Sequence, residues 1–161
     1  MAGSKLEKSA FFLLRRAGQF AADLYASETG APGLTPRQFM VMQAVENEEG
    51  LSQTQLVERT GIDRSTLADV VQRLLKKNML QRRRTKEDAR ANSIRLSAAG
   101  RRALQATQPG ATLADRKLLE TLPPPRRKEF MESLRQISSA LDEYEMAAQN
   151  GHATGTHKRG S

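Results

Sequence analysis

Between Ser52 and Asn78 the chain reads SQTQLVERTGIDRSTLADVVQRLLKKN, and this stretch constrains the fold more than any other. Ser52 stands three residues before Gln55, the spacing of a capping box that opens a helix. Leu56 and Val57 supply an apolar face, and Gly61 stops the helix after a short run. Asp63 caps again. The stripe at Leu67, Val70, Val71, Leu74 and Leu75 then has the three-and-four spacing of a second helix. Asn78 ends it, because Asn tolerates the left-handed backbone that a helix stop often needs. Two short helices joined through TGID predict a helix-turn-helix.

The flanks extend the pattern. Apolar residues at 6, 10, 13, 14, 17, 20, 21 and 24 predict a long amphipathic first helix, ended by the Gly and Pro of TGAPG. Thr35, Pro36 and Gln38 form the next helix start, with Phe39, Met42 and Val45 as its inner face. Downstream, residues 80–85 and 93–96 suit two short strands with a charged loop as their hairpin. Ser97 caps a further helix that meets Pro109-Gly110, where a kink or break is expected. TLPPPRRKEF punctuates the chain, and Phe130, Leu134, Ile137, Leu141 and Tyr144 space out a last helix to about Ala148. Residues 149–161 read as a disordered tail.

Charge narrows the partner. The segment 59–102 holds thirteen Lys or Arg against four acids, an excess of nine, whereas the whole chain carries +8. The entire positive balance therefore sits on the helix-turn-helix and the hairpin. A focused basic patch is the footprint of a polyanion. A solvated helix face is the plain alternative, but such faces usually mix signs.

Other classes fall away. With no cysteine there is no disulfide, thiolate nucleophile or thiol redox sensor, and the only histidines, His152 and His157, lie in the tail. No cofactor is expected, and no metal site in the body, since one would have to be made of carboxylates alone. No nucleophile–base set or phosphate-cradling glycine loop appears, so an enzyme is not expected. The absence of an 18-residue apolar run and of a signal-peptide pattern points to a cytoplasmic protein without a membrane span.

The element order and the segments LTPRQFMVM, LSQTQLVERTGIDRSTLADVVQRLLKKNML and DARANSIRLSAAG resemble the MarR family of winged helix-turn-helix regulators. The wing carries the most specific likeness: Asp88 and Arg90 supply its acid and arginine, and Leu96, Ser97 and Gly100 its close, with Ser for the usual Thr. Asn78 replaces the usual glycine, and Asp69 stands where many members have a basic or neutral residue. The resemblance implies a mainly α fold with a small two-stranded β wing. Residues 31–97 would form the winged helix-turn-helix, and residues 5–30 and 98–148 the N- and C-terminal dimerisation helices. An intramolecular bundle of those helices is the alternative.

Within that frame the recognition helix offers Arg64, Ser65, Thr66, Ala68, Asp69 and Arg73 to DNA. Ser65 and Thr66 donate or accept at base edges, and Ala68 or the Thr methyl can touch a thymine methyl. Asp69 either accepts from a cytosine amino group or orients Arg73, which meets a phosphate. Arg82, Arg84 and Lys86 belong to the wing, with Arg90 near the tip suited to a narrow minor groove and Asp88 pre-orienting it. A solvated hairpin with a weak surface ion pair is the competing reading. The expected partners are double-stranded DNA with a near-palindromic operator and a second copy of the chain. A small aromatic acid, phenolic or acyl thioester completes the set, against Phe11, Phe12, Arg15, Arg16, Phe20 and Phe39, although phenylalanines at helical spacing are more often plain core and Arg15 and Arg16 also suit a solvated surface. The function expected is a repressor released by such a ligand; the alternative is a non-specific architectural nucleic-acid-binding protein.

Overall fold

The structure is a computed structural model, and it describes residues 5–30, 33–84 and 92–153. After a 3₁₀ turn at Lys5–Lys8, the elements run α1 (Ala10–Thr29), α2 (Pro36–Asn47), α3 (Gln53–Thr60), α4 (Arg64–Lys76), β1 (Leu80–Arg84), β2 (Asn92–Leu96), α5 (Ala98–Glu120) and α6 (Pro124–Ala153). The chain divides into two compact units after Thr121.

The helix starts follow from local chemistry. Thr35 and Ser52 each accept from the backbone N–H three residues on, while Gln38 and Gln55 accept from the cap residue's own N–H. Both capping boxes are complete, which satisfies N–H groups that the first helical turn leaves without a partner. Asp63 caps α4 and Ser97 caps α5 in the same manner. Gly61 (φ 64°) and Asn78 (φ 55°) take the left-handed backbone at or just past the ends of α3 and α4.

The first unit has one core. Val41, Met42, Val45, Leu56, Leu67, Val71 and Leu74 are sealed from solvent, and Leu80, Ile94, Leu96 and Leu104 close it from the hairpin and α5. β1 and β2 pair antiparallel, with Leu80 opposite Leu96, Arg82 opposite Ile94 and Arg84 opposite Asn92. Opposed residues in such a pair share a face. Leu51 adds a bridge to Ile94, so the strand pair has a short third edge from the α2–α3 loop.

α1 packs along α5, yet none of its own residues is buried. The contact is close at one end: a Cβ on Gly110 would lie 2.5 Å from the carbonyl oxygen of Glu28. Lys117 of α5 pairs with the Glu28 carboxylate beside it. Tyr25 joins α1 to α2, its hydroxyl donating to the Leu34 carbonyl at 2.9 Å and its ring tilted on Phe39.

Two expectations about the ends of helices change. α5 runs unbroken through Pro109, although Pro109 has no N–H to donate to Gln105. The buried residues Leu104, Thr107, Ala111 and Ala114 make one stripe across the proline, and that continuous packing outweighs the missing bond. In the second unit α6 continues past Ala148 to Ala153, so the start of the expected tail is helical. Met146, Ala147, Ala148 and Gln149 are good helix formers, and a late Gly costs only about 1 kcal/mol.

Candidate nucleic-acid interface

α4 has a buried side and a polar side. Leu67, Val70, Val71 and Leu74 face the core. Arg64, Ser65, Asp69, Gln72, Arg73 and Lys76 are exposed, and Thr66 and Ala68 are half-buried. The six recognition-helix residues named from sequence therefore lie on one accessible surface. Its start is rigid: Asp63 Oδ1 accepts from the Thr66 N–H at 2.9 Å and from the Ser65 hydroxyl at 2.8 Å. Those bonds, Thr66 first, pull the Asp63 carboxyl down to about 2. Ser65 thus has its proton committed to Asp63 and presents lone pairs outward.

Asp69 and Arg73 pair along the helix, with Arg73 Nε 2.9 Å from Asp69 Oδ2. The geometry is that of an acid orienting an arginine one turn on. As an exposed i,i+4 pair it adds only about 0.3–0.5 kcal/mol to stability.

The wing residues fall in two groups. Arg82 and Arg84 are exposed on the strand face that also carries Leu80, and Arg82 reaches back to Gln53 Oε1 at 3.4 Å. Lys86, Asp88 and Arg90 lie outside the described residues. On the other face Arg83 and Arg95 share the field of Glu49 with Arg101, and together they hold its carboxyl below the usual range, Arg101 contributing most.

The join between Ser97 and the end of α4 explains the Leu-Ser-x-x-Gly close of the wing. The Ser97 hydroxyl donates toward the Asn78 and Met79 carbonyls and accepts from the Gly100 N–H at 2.9 Å. Strand end, recognition-helix stop and α5 start are thereby locked at one point.

The six residues named as candidate ligand contacts are distributed differently. Phe11 and Phe20 are exposed, the Arg16 guanidinium stands 5.9 Å over the Phe12 ring, and Arg15 is exposed. Phe39 packs with Tyr25 against the core. None of the six lines the groove of about 520 Å³ formed by Ala22, Thr35, Pro36, Arg37, Gln38, Thr66, Asp69, Val70 and Arg73. Sequence reading missed Arg37 there, because the groove draws on α1, α2 and α4 and leaves no local signal. Among the described residues no group of His, Cys, Asp or Glu has the arrangement of a metal site, and no helix is long and apolar enough to cross a membrane.

A sequence profile of the MarR family matches residues 33–91, the span from the start of α2 into the wing. A probable transcriptional regulator from Pseudomonas aeruginosa superposes with a TM-score of 0.76 at 31% identity, over 83% of this chain and 99% of its own. The chain is a member of the MarR family. This MarR protein is also 28% identical over 135 residues to the transcriptional regulator HosA of Escherichia coli O111:H-, covering 84% of this chain and 98% of HosA. Bordetella bronchiseptica BpsR, whose DNA binding is regulated by 6-hydroxynicotinic acid, superposes with a TM-score of 0.72 at 28% identity, over 78% of this chain and 96% of BpsR. The α3–α4 pair with its β1–β2 hairpin is a DNA-binding winged helix, and the MarR protein is a transcription regulator.

Proposed function

We propose that this chain is a homodimeric repressor that reads a near-palindromic operator and is released by a small aromatic or phenolic acid. The observation that carries the reading is the single accessible surface of α4, set beside a wing whose exposed arginines Arg82 and Arg84 share one face. Ser65, Thr66 and Ala68 read base edges from the first turn of α4, and Asp69 orients Arg73 onto a phosphate. Arg64 and the wing cations, Lys86 and Arg90 included, contribute backbone and minor-groove contacts, and Asp88 is the acid proposed to orient Arg90. It is a binding protein and carries out no reaction.

Dimerisation is supported by apolar surface. In the first unit Leu6, Phe11, Leu13, Leu14 and Phe20 are exposed; in the second, Ile137, Leu141, Tyr144 and Met146 are. Exposed large apolar side chains gathered on one helix suit a protein interface. Two-fold pairing then presents two recognition helices to half-sites about one helical turn of DNA apart.

The ligand reading rests on the 520 Å³ groove; Phe11, Phe12, Arg15, Arg16, Phe20 and Phe39 are further candidate contacts that lie outside its lining. BpsR responds to an aromatic acid. A carboxylate in the groove would meet Arg37 and compete with Asp69 for Arg73, and so act directly on the recognition helix. A ligand acts only through different affinity for the DNA-competent and incompetent states.

The test is a titration against the DNA upstream of its own gene, with scrambled DNA of equal length as control, at two salt concentrations. Binding confined to the upstream DNA, weakening steeply with salt and relieved by aromatic acids, is expected. Equal binding to both DNAs points instead to an architectural protein.

A further inference from the structure

The segment 49–53, which runs from the α2–α3 loop into the first residue of α3, grips the wing at several points. The Gly50 N–H donates to the Ile94 carbonyl at 3.3 Å, and the Ile94 N–H donates to Leu51 at 2.9 Å. At one end of the segment Gln53 accepts from Arg82 at 3.4 Å. At the other, Glu49 accepts from Arg101 in the first turn of α5 and lies 3.7 Å from Arg95 of β2. Glu48, its neighbour, pairs with Arg59 of α3 at 2.9 Å.

Glu49 meets two needs at once. Arg101 sits near the N-terminus of α5, where the helix dipole opposes a cation. The Arg95 guanidinium, whose buried Nε has no hydrogen-bond partner, has the Glu49 carboxylate 3.7 Å from its Nη1 as its opposite charge. Without that charge Arg83, Arg95 and Arg101 would repel one another around the wing's root. A two-stranded ribbon is marginal by itself, so its attitude is set by what holds its base.

We propose that Glu49 is a positioning residue for DNA binding: it fixes the angle of the wing to the recognition helix, so that both meet the duplex together. The inference rests on the wing-and-helix reading above and names a residue that does not itself need to touch DNA.

The experiment begins with the full-length wild-type chain and duplexes selected in vitro from a randomised pool. Failure of wild type to enrich any sequence would end the DNA reading and this inference with it. With a selected duplex in hand, Glu49→Gln, Glu49→Asp and wild type are compared by affinity at several salt concentrations and by hydroxyl-radical footprint. Glu49→Gln is expected to bind at least about fivefold more weakly, with a shallower salt slope, as wing–phosphate contacts are lost. Protection under the wing should fade while protection under α4 persists, and Glu49→Asp should recover part of both. Unchanged affinity and footprint would overturn the proposal. So would tighter binding with a steeper salt slope, since Glu49 would then merely screen cations. If Glu49→Gln melts early, Arg101→Gln removes the other side of the pair: the same selective loss of wing protection supports the proposal, and an intact footprint overturns it.

Discussion

A Cβ on Gly100 would lie 2.0 Å from the carbonyl oxygen of Met79, closer than any real contact of that kind. The first turn of α5 therefore rests on the backbone that leads from the recognition helix into β1. Gly100→Ala should push the two apart. The expected cost is about 1–3 kcal/mol or more, the usual range for overpacking against an element that cannot give way. Urea denaturation of wild type and variant measures it, and a change within a few tenths of a kcal/mol would show that the contact is soft.

The Asp63 cap has a definite pH signature. Its carboxyl titrates at about 2 in the folded chain, below the ordinary 3.8, through its bonds to Thr66 and Ser65. A depressed folded value means stability that is present above the unfolded value and lost as pH falls through the folded one. Asn caps a helix nearly as well but does not titrate in this range. The stability advantage of wild type over Asp63→Asn should therefore hold above about pH 4, shrink between about 4 and 2, and vanish below. Thermal melts across that window check it; a constant difference would contradict it.

Arg73 is expected to contact a phosphate, held there by Asp69. Arg73→Gln should weaken binding about equally for operator and mismatched duplexes and reduce the salt slope by about one. A selective loss at one base pair would instead make Arg73 a base reader. Fluorescence anisotropy against a panel of single-mismatch duplexes separates the two.

Oligomeric state follows from the exposed face of α1. Sedimentation should give about twice the 17.8 kDa chain mass. Leu14→Glu, placed on a half-exposed apolar position of α1, should shift the equilibrium toward monomer and weaken operator binding with it. A monomeric wild type that still binds one half-site tightly would remove the dimer from the account.

Local signals proved the most legible. Thr35 with Gln38, Ser52 with Gln55, Asp63, Gly61 and Asn78 mark helix ends through contacts three or four residues long, which a sequence displays directly. The exposed side of α4 was legible too, because the stripe from Leu67 to Leu74 leaves its complement outside. Pro109 misled in part for the same reason: a local rule expects a kink or a break, and no break occurs, because the stripe packs on either side. The Glu49 cluster left no sequence signal, since Arg101 is distant in the chain and only the fold brings it across. Arg37 in the groove was hidden likewise. The close of the wing was seen as a likeness, and its cause, the approach of Gly100 to Met79, needed coordinates.

The unbroken α5 has the geometry of a lever arm. Its fulcrum is the tight seat of Gly110 against the end of α1, and its far end, at Ala98, is welded through Ser97 to the wing and the recognition-helix stop. The twelve residue steps between them span roughly 18 Å. A tilt of roughly 5° at the fulcrum sweeps the far end by about 1.5 Å, half the rise of one strand residue and enough to break a hydrogen bond. A small displacement where α1 meets α5 would therefore be enlarged at the joint of β1, β2 and α4.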